Sequence, residues 1–154
     1  MSFKNEIGKQ VLILDGAMGT MIQDLELDDA AFGGTEFKML SDLLVFSRPD
    51  ELEFIHLKYL QAGANLIETN TFGASPLRLK EFDFTKLDPA DLRAIPKNLD
   101  LRNCAAEDLT RHLNMEGCRI ACRAIEKYKT DPDYDGRPLF VAGSIGPSNC
   151  VVSS

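Results

Sequence analysis

Polar residues follow three short apolar runs of this chain, and two of these residues are carboxylates. The runs and the polar, glycine-containing segments behind them are Val11–Leu14 with Asp15-Gly-Ala-Met-Gly-Thr20, Asn65–Ile67 with Glu68-Thr-Asn-Thr-Phe-Gly73, and Leu139–Ala142 with Gly143-Ser-Ile-Gly-Pro147. A buried carboxylate is costly unless it is paired or hydrogen-bonded, so an apolar run seldom ends in Asp15 or Glu68 without a use for the charge. The alternative is that both carboxylates only cap neighbouring backbone N–H groups. Three polar ends in one chain favour a shared binding site.

The elements that must position these residues are parallel strands, because continuous apolar runs are typical of buried parallel strands. Side chains alternate between the two faces of a strand. This alternation puts Asp15 on the same face as Val11 and Ile13. It puts Glu68 and Asn70 on one face of the second run, and Ser144 on the corresponding face of the third run. In a (β/α)₈ barrel the chemistry lies at the C-terminal ends of the strands. We therefore expect these four polar residues to meet at one rim.

The composition is that of a globular protein and gives no sign of a nucleic-acid surface. The chain has 154 residues, is 44% hydrophobic and 27% charged, and carries a net charge of −7, and no basic patch stands out. No run is long enough to span a membrane, and Met1–Glu6 lacks the apolar stretch of a signal peptide. The sequence thus predicts a cytoplasmic protein of one domain.

The cysteines and histidines do not form a recognisable metal motif. Cys104, Cys118, Cys122 and Cys150 contain no C-x-x-C pair, and neither histidine has ligand spacing to them. Cys118 and Cys122 are four residues apart on one face of a predicted helix, and we interpret them as buried, reduced core thiols. Cys150 is the one cysteine near the predicted rim, yet a zinc centre needs about three or four protein ligands. No metal ligand or catalytic residue is therefore assigned.

Helices and loops are predicted between the three runs. Pro49 and the acidic residues after it favour a helix that ends near Gly63, and a short helix is expected from Pro76 to Phe82. The two prolines between residues 83 and 98 predict a loop, and a long helix is expected over 99–128. The segment 21–48 is interpreted as a long first loop.

Three strands with two crossover connections predict an α/β fold with a right-handed parallel sheet. A complete (β/α)₈ barrel needs about 250 residues, so residues 1–154 fit either a small three-stranded α/β fold or the N-terminal part of a (β/α)₈ TIM barrel. A flavodoxin-like sheet would need about five strands. We favour an incomplete barrel of about three strands.

Several long motifs in the correct order resemble the N-terminal homocysteine-binding barrel of the cobalamin-dependent methionine synthase family. The segments that carry this resemblance are Leu14–Gln23, Asp42–Pro49, Ile55 and His56 with Tyr59, Ala62–Ala74 and Val141–Pro147. The similarity covers nearly the whole chain, with an apparent insertion around residues 84–103. The Gly-Ala-Met-Gly-Thr form of the first motif is similar to the cobalamin-dependent branch.

The resemblance implies a methyltransferase that binds homocysteine and transfers a methyl group from methylcobalamin to its sulfur, giving methionine. It implies that Asp15 and Glu68 face the substrate ammonium. It also implies that backbone N–H groups of the turn Gly16, Ala17, Gly19 and Thr20 receive the substrate carboxylate, since glycine-rich turns can direct N–H groups at an anion. Asn70, Thr71 and Ser144 are then expected to orient these groups.

The resemblance further implies zinc and cobalamin as cofactors of the full-length enzyme, with the remaining barrel half and the cobalamin and folate domains as partners. The family's zinc ligands are three cysteines on later strands, two of them adjacent, and this chain has no adjacent cysteine pair. We therefore expect the chain alone to be inactive, as the substrate-binding half of a site.

Two other functions remain open. One is a non-catalytic module that binds an amino acid or pairs with a complementary half-barrel. The other is an unrelated barrel enzyme that binds phosphate at the Gly16–Gly19 turn. The second is disfavoured because no helix is predicted directly after that turn and because two carboxylates would repel a phosphate.

Overall fold

The structure, a computed structural model, describes residues 2–146. Its secondary structure is an α/β mixture in which the described residues form two strands, six α-helices and four 3₁₀ turns between them. The helices and strands are α1 (Phe3–Glu6), α2 (Met18–Gln23), α3 (Leu44–Ser47), α4 (Pro49–Gln61), β1 (Leu66–Glu68), α5 (Pro76–Leu79), α6 (Ala106–Tyr128) and β2 (Phe140–Ala142). Cys150, with the segment from residue 147 onward, lies outside the described residues, so the prediction that places it near the rim has no structural counterpart here.

The two strands form a parallel sheet in which Leu66 lies opposite Phe140 and Glu68 opposite Ala142. The first apolar run joins this sheet through a single parallel bridge between Leu14 and Leu66. The predicted strand over Val11–Leu14 is therefore wrong in extent, although its place beside β1 and its direction are as predicted. Val11 is 87% exposed, so the run lacks the packing on both faces that stabilises a buried parallel strand.

Helix α4 begins and ends close to the predicted bounds. Pro49 occupies the first turn, followed by Asp50 and Glu51, where proline and acidic side chains suit the positive end of a helix. Behind its last residue, Gly63 has a φ of +110°, a conformation that side chains other than glycine rarely adopt. This turn leads directly into β1.

The long helix and the first loop differ from the prediction. Helix α6 begins at Ala106 rather than at residue 99, because residues 99–104 form turns in which Asp100 accepts hydrogen bonds from Arg102 and Asn103. The segment 21–48 is not a plain loop, since it contains the end of α2, three 3₁₀ turns and α3. It also supplies much of the larger hydrophobic core, including Phe37, Leu43 and Phe46. Hydrogen bonds of a local turn thus shorten the predicted long helix, and burial in the core accompanies helical turns where the sequence predicted a loop.

One face of the sheet is covered and the other is open. Ile67 is fully buried and packs with Leu60 of α4 and with Ala121 and Ile125 of α6. On the first run, by contrast, Ile13 is 54% exposed. Among residues 2–146, no helix combines the length and the apolar composition that a membrane crossing requires.

Candidate functional site

Asn65 fixes the three parallel segments at their amino ends. Its Oδ1 accepts a hydrogen bond from the Ile13 N–H at 3.0 Å, and its Nδ2 donates to the Pro138 carbonyl at 3.0 Å. The Ile13 carbonyl in turn accepts from the N–H groups of Asn65 and Leu66. One buried side chain therefore sets the relative height of the three segments, and the polar residues behind them lie at the opposite, carboxyl end.

Asp15 and Glu68 lie side by side at that carboxyl end. Asp15 Oδ2 accepts a hydrogen bond from the Glu68 N–H at 2.9 Å, which is the capping contact that the sequence left open as an alternative. Asp15 Oδ1 is also buried but has no hydrogen-bond partner among the described residues. Burial raises the pKa of Asp15 to about 6, and the nearby charge of Glu68 adds to the rise. The pair thus offers an unpaired acceptor and shared negative charge to a cation.

The glycine turn after Asp15 packs against Tyr59 of α4. The Tyr59 hydroxyl donates to the Ala17 carbonyl at 3.3 Å, and a Cβ at Gly16 would lie 3.3 Å from the Tyr59 ring. Burial raises the pKa of Tyr59, and the charge of Asp15 adds to it. The neutral Tyr59 side chain therefore holds the turn in place beside Asp15.

Helix α2 starts at Met18, inside the glycine turn, so the prediction that no helix follows this turn directly is wrong. Ala17 is its N-cap residue and supplies no side-chain hydrogen bond to the first turn. Gly19 and Thr20 lie in this exposed first turn. The sequence reads Ala-Met-Gly-Thr, which lacks a capping side chain at the helix start, and this explains why the helix was missed. The second argument against phosphate, repulsion by two carboxylates, is unaffected.

The residues after β1 divide between the two faces of the sheet. Ile67, Thr69 and Thr71 are buried, and both threonines face α6, where a Cβ at Gly117 would lie 2.6 Å from Thr71 Cγ2. Leu66 and Glu68, on the other face, are only half-buried. The Thr71 side chain is therefore directed toward the helix layer, so it can orient its neighbours but does not lie on the face that carries Glu68.

The two threonines fix the backbone that follows β2. The Thr69 hydroxyl accepts from the Ser144 N–H at 3.1 Å, and the Thr71 hydroxyl donates to the Ser144 carbonyl at 3.1 Å. The Gly146 N–H donates to the Phe72 carbonyl at 3.0 Å. Ser144 is thereby held beside the end of β1, with its side chain half-buried.

Asn70 and Gly73 are held by a segment that the sequence did not suggest. Asn70 Nδ2 donates to the Ser41 carbonyl at 2.8 Å, and Asp42 Oδ1 accepts from the Gly73 N–H at 2.9 Å. Asp42 is 4% exposed, and burial raises its pKa to about 6. A Cβ at Gly73 would lie 2.7 Å from Asp42 Oδ2, so a larger residue there would displace the Asp42 carboxylate. The signal available in the sequence was an acidic residue inside the apolar segment Leu40–Phe46.

The remaining histidine and cysteine candidates do not form a metal site among residues 2–146. His56 is 1% exposed with an Nδ1 that has no partner among the described residues, and burial lowers its pKa to about 4, which makes it a neutral packing residue. Cys118 and Cys122 are exposed, so the prediction that they are core thiols is wrong. They share a helix face as expected, but α6 turns that face to solvent. Within residues 2–146, no three histidine, cysteine or acidic side chains are grouped so that they could hold a metal ion.

Known proteins resemble this chain over most of its length. A family model described as homocysteine S-methyltransferase matches residues 12–154. A methionine synthase from Mycobacterium leprae (strain TN) is 36% identical over 141 residues, which is 92% of this chain and 9% of that protein.

Solved structures of the homocysteine methyltransferase MmuM from Escherichia coli share the fold. The metallated form is 24% identical with a TM-score of 0.64, over 94% of this chain and 41% of that one. The oxidised form is 26% identical with a TM-score of 0.61, over 90% of this chain and 38% of that one. The chain thus spans well under half the length of each of these relatives.

Proposed function

The chain belongs to the homocysteine S-methyltransferase family, and from this premise we propose that it binds the amino-acid end of homocysteine. In this proposal the chain is the N-terminal, substrate-binding part of a (β/α)₈ barrel of the methionine synthase type. The full enzyme would transfer a methyl group from methylcobalamin to the homocysteine sulfur. The rim formed by Asp15, Glu68 and Ser144 is the proposed binding site.

The observation that carries this proposal is the state of the Asp15 carboxylate. One of its oxygens is held by the Glu68 N–H, and the other is buried without a donor among residues 2–146. An unsatisfied buried acceptor is costly, and an ammonium group brings three donors and a positive charge. The charge of Glu68 beside it favours the same occupant. A substrate with a free ammonium group therefore satisfies this site better than a neutral or anionic one.

The turn from Gly16 to Thr20 is proposed to receive the substrate carboxylate through backbone N–H groups of Gly16, Ala17, Gly19 and Thr20. These residues are exposed, and Tyr59 fixes the turn beside Asp15. Asn70, Thr71 and Ser144 are proposed to orient the site. For Thr71 this role runs through the Ser144 carbonyl, and for Asn70 it runs through the contact with Ser41.

The described residues do not fit the zinc ion that the family implies. A catalytic zinc needs about three protein ligands, and residues 2–146 hold no such group. No catalytic residue of this chain is therefore proposed, and the metal and cobalamin sites are assigned to other parts of a full-length enzyme. Binding without turnover is the activity proposed for residues 1–154.

The test is calorimetric titration of the chain with L-homocysteine, comparing wild type with Asp15→Asn. The amide oxygen of the substituted side chain can still accept from the Glu68 N–H, so the fold is kept while the charge is lost. We expect homocysteine binding to weaken by about 1.5–3 kcal/mol, the usual range for a charged hydrogen bond. Asp133→Asn, a change at an exposed turn residue, is the matched control and should bind as wild type does. Equal affinity of both variants would refute the assignment.

The open face of the sheet favours a second candidate, a module that pairs with a complementary half-barrel. Val11 and Ile145 are 87% and 88% exposed, and Phe72 is 62% exposed. Large apolar side chains left exposed around the sheet favour a surface that another chain or segment covers. The two functions separate experimentally, because a pure pairing module would show no homocysteine binding in the titration.

A further inference from the structure

The open face of the sheet is contacted at its amino end by the N-terminus of the same chain. The Phe3 ring packs edge-on against the Phe140 ring, with the ring centroids 5.3 Å apart and the planes at 75°. Phe140 begins β2 and lies opposite Leu66 of β1. Its neighbour Val141 packs with the cluster around Ile67, so alternation directs Phe140 to the other, open face. Phe3 therefore lies on the open face, at the end of the sheet opposite to the polar rim.

The N-terminal segment, residues 2–10, is held in a folded form by its own hydrogen bonds. The Ile7 N–H donates to the Phe3 carbonyl at the end of α1. The Glu6 carboxylate accepts a hydrogen bond from the Gln10 side chain at 3.0 Å. The segment therefore presents Phe3 to the sheet as part of a small ordered unit, directly before the first apolar run.

The contact between this segment and the sheet is shallow. No residue of α1 is buried, and the Phe3 side chain is 41% exposed. Directly after the segment, Val11 and Ile13 are 87% and 54% exposed. The N-terminal segment thus covers only one end of an apolar face, through an aromatic pair that a larger occupant of the same face could displace.

We propose that the N-terminal segment is an intramolecular plug that restrains pairing of the open face with a second copy of this chain. A second copy carries the same exposed apolar residues and the same outer strand edges, so the two faces can pair about a two-fold axis. Pairing over the amino end of the sheet requires Phe3 to leave Phe140. The plug therefore lowers the association constant by the strength of the aromatic contact, about two- to tenfold.

The test compares the self-association of wild type and Phe3→Ser by sedimentation velocity at a series of protein concentrations. We expect Phe3→Ser to associate about two- to tenfold more strongly than wild type. The sign of the change is diagnostic, because a ring that only adds exposed apolar surface would lower association when it is removed. Phe54→Ser, at a ring of α4 that is 50% exposed, is the matched control and should not associate more strongly than wild type.

A second measurement tests the ring contact itself. The chain contains no tryptophan, so Phe3→Trp places a single fluorescent reporter in the N-terminal segment. We expect acrylamide to quench this reporter more strongly when Phe140→Ser is added, because the partner ring is then lost. The helical circular dichroism signal verifies that each variant is folded.

Unchanged or weaker association of Phe3→Ser would overturn the proposal, as would an equal gain in Phe54→Ser. Equal quenching of the tryptophan with and without Phe140 would overturn the ring contact on which the plug depends. The plug lies at the opposite end of the sheet from the rim, and homocysteine binding plays no part in these readouts. Failure of the proposed function would therefore leave both measurements decisive.

Discussion

At the scale of single residues, two aspartates with raised pKa values perform different tasks. Asp15 keeps one buried oxygen without a partner among the described residues, on the open side of the sheet, whereas Asp42 uses its buried carboxylate to hold the Gly73 N–H. In both, burial is the main cause of a pKa of about 6. Their charges therefore change just below neutral pH, and the effects of that change differ.

For Asp15 the change affects binding. An ammonium group is held by the ionised carboxylate, so we expect homocysteine affinity to fall as the pH drops below about 6, by up to about tenfold per pH unit. Calorimetric titrations between pH 5 and pH 7.5 measure this dependence. The Asp15→Asn variant should bind weakly with little change over this range, and a wild-type affinity that is flat from pH 5 to 7.5 would contradict the prediction.

For Asp42 the change affects stability. The folded state raises its pKa, so between about pH 4 and 6 the folded protein holds the proton more tightly than the unfolded chain does. The stabilisation from that proton is complete below about pH 4 and is lost as the pH rises through 6. Two pKa units correspond to about 2–3 kcal/mol.

The measurement is urea unfolding of wild type and Asp42→Asn at pH 4, 5.5 and 7. Relative to the variant, wild type should lose about 2–3 kcal/mol of unfolding free energy from pH 4 to pH 7. The comparison with the amide variant cancels the pH dependence of the other acidic groups, several of which shift in the opposite direction, such as Glu53. Parallel curves for the two proteins would show that Asp42 is not the titrating group.

At the scale of elements, Asn65 is the side chain on which the alignment of the three parallel segments depends. Replacing it with alanine leaves the Ile13 N–H and the Pro138 carbonyl without their partner. We expect Asn65→Ala to lower the unfolding free energy by about 1–3 kcal/mol. Asn103→Ala, at an exposed side chain that donates to the nearby Asp100, is the control and should stay within about 0.5 kcal/mol of wild type. Similar losses of unfolding free energy in the two variants would contradict the aligning role of Asn65.

The elements that could be predicted from the sequence are those with strong local signals. Helix α4 has proline at its start and glycine behind its end, and β1 is a short apolar run bounded by polar residues. The first run failed as a strand because strand formation depends on packing that Val11 does not have. Helix α6 begins later in the sequence than predicted because Asp100 accepts hydrogen bonds from nearby backbone and side-chain groups, which competes with helix formation.

In the proposed site, too, the residues with local signals could be predicted and those held by long-range contacts could not. Asp15 and Glu68 could be placed together from alternation along two neighbouring runs. Asp42 could not be placed, because its contact with Gly73 joins residues 31 positions apart and no periodic pattern connects them. The exposure of Cys118 and Cys122 was also out of reach, since their spacing fixes a shared face but not which face the fold covers.

At the scale of the whole molecule, the open face of the sheet governs behaviour in solution. Val11 and Ile13 are exposed there, and the first run and β2 are the outer members of the parallel set. Unpaired strand edges and exposed apolar groups favour association with other chains. The open face therefore predicts that residues 1–154 self-associate when expressed alone.

Sedimentation velocity over a tenfold range of concentration measures this association. We expect the double change Val11→Ser and Ile13→Ser to shift the protein toward monomer. The change Met39→Ser, at a residue that is 79% exposed in a separate loop, should leave the distribution unchanged. A wild type that is monomeric throughout, with a sharp cooperative melting transition, would contradict the prediction.

A further prediction for the whole molecule concerns its activity. We expect the chain to bind no stoichiometric zinc and to form no methionine from homocysteine and free methylcobalamin, because about three protein ligands are needed for catalytic zinc. Metal analysis after purification and a methyl-transfer assay measure these two outcomes. Stoichiometric zinc that is lost in Cys150→Ser, or zinc-dependent methionine formation, would show that the site is complete within the chain.

The position of Asn65 also has a consequence for engineering. The side chain that aligns the three segments and the loops that carry the polar rim lie at opposite ends of the same short strands. A designer could therefore graft new loops after Leu14, β1 and β2 while leaving the anchoring end untouched. Substrate choice and foldability would then be adjustable separately, provided that a transplanted loop keeps the threonines at positions 69 and 71 that contact the helix layer behind it.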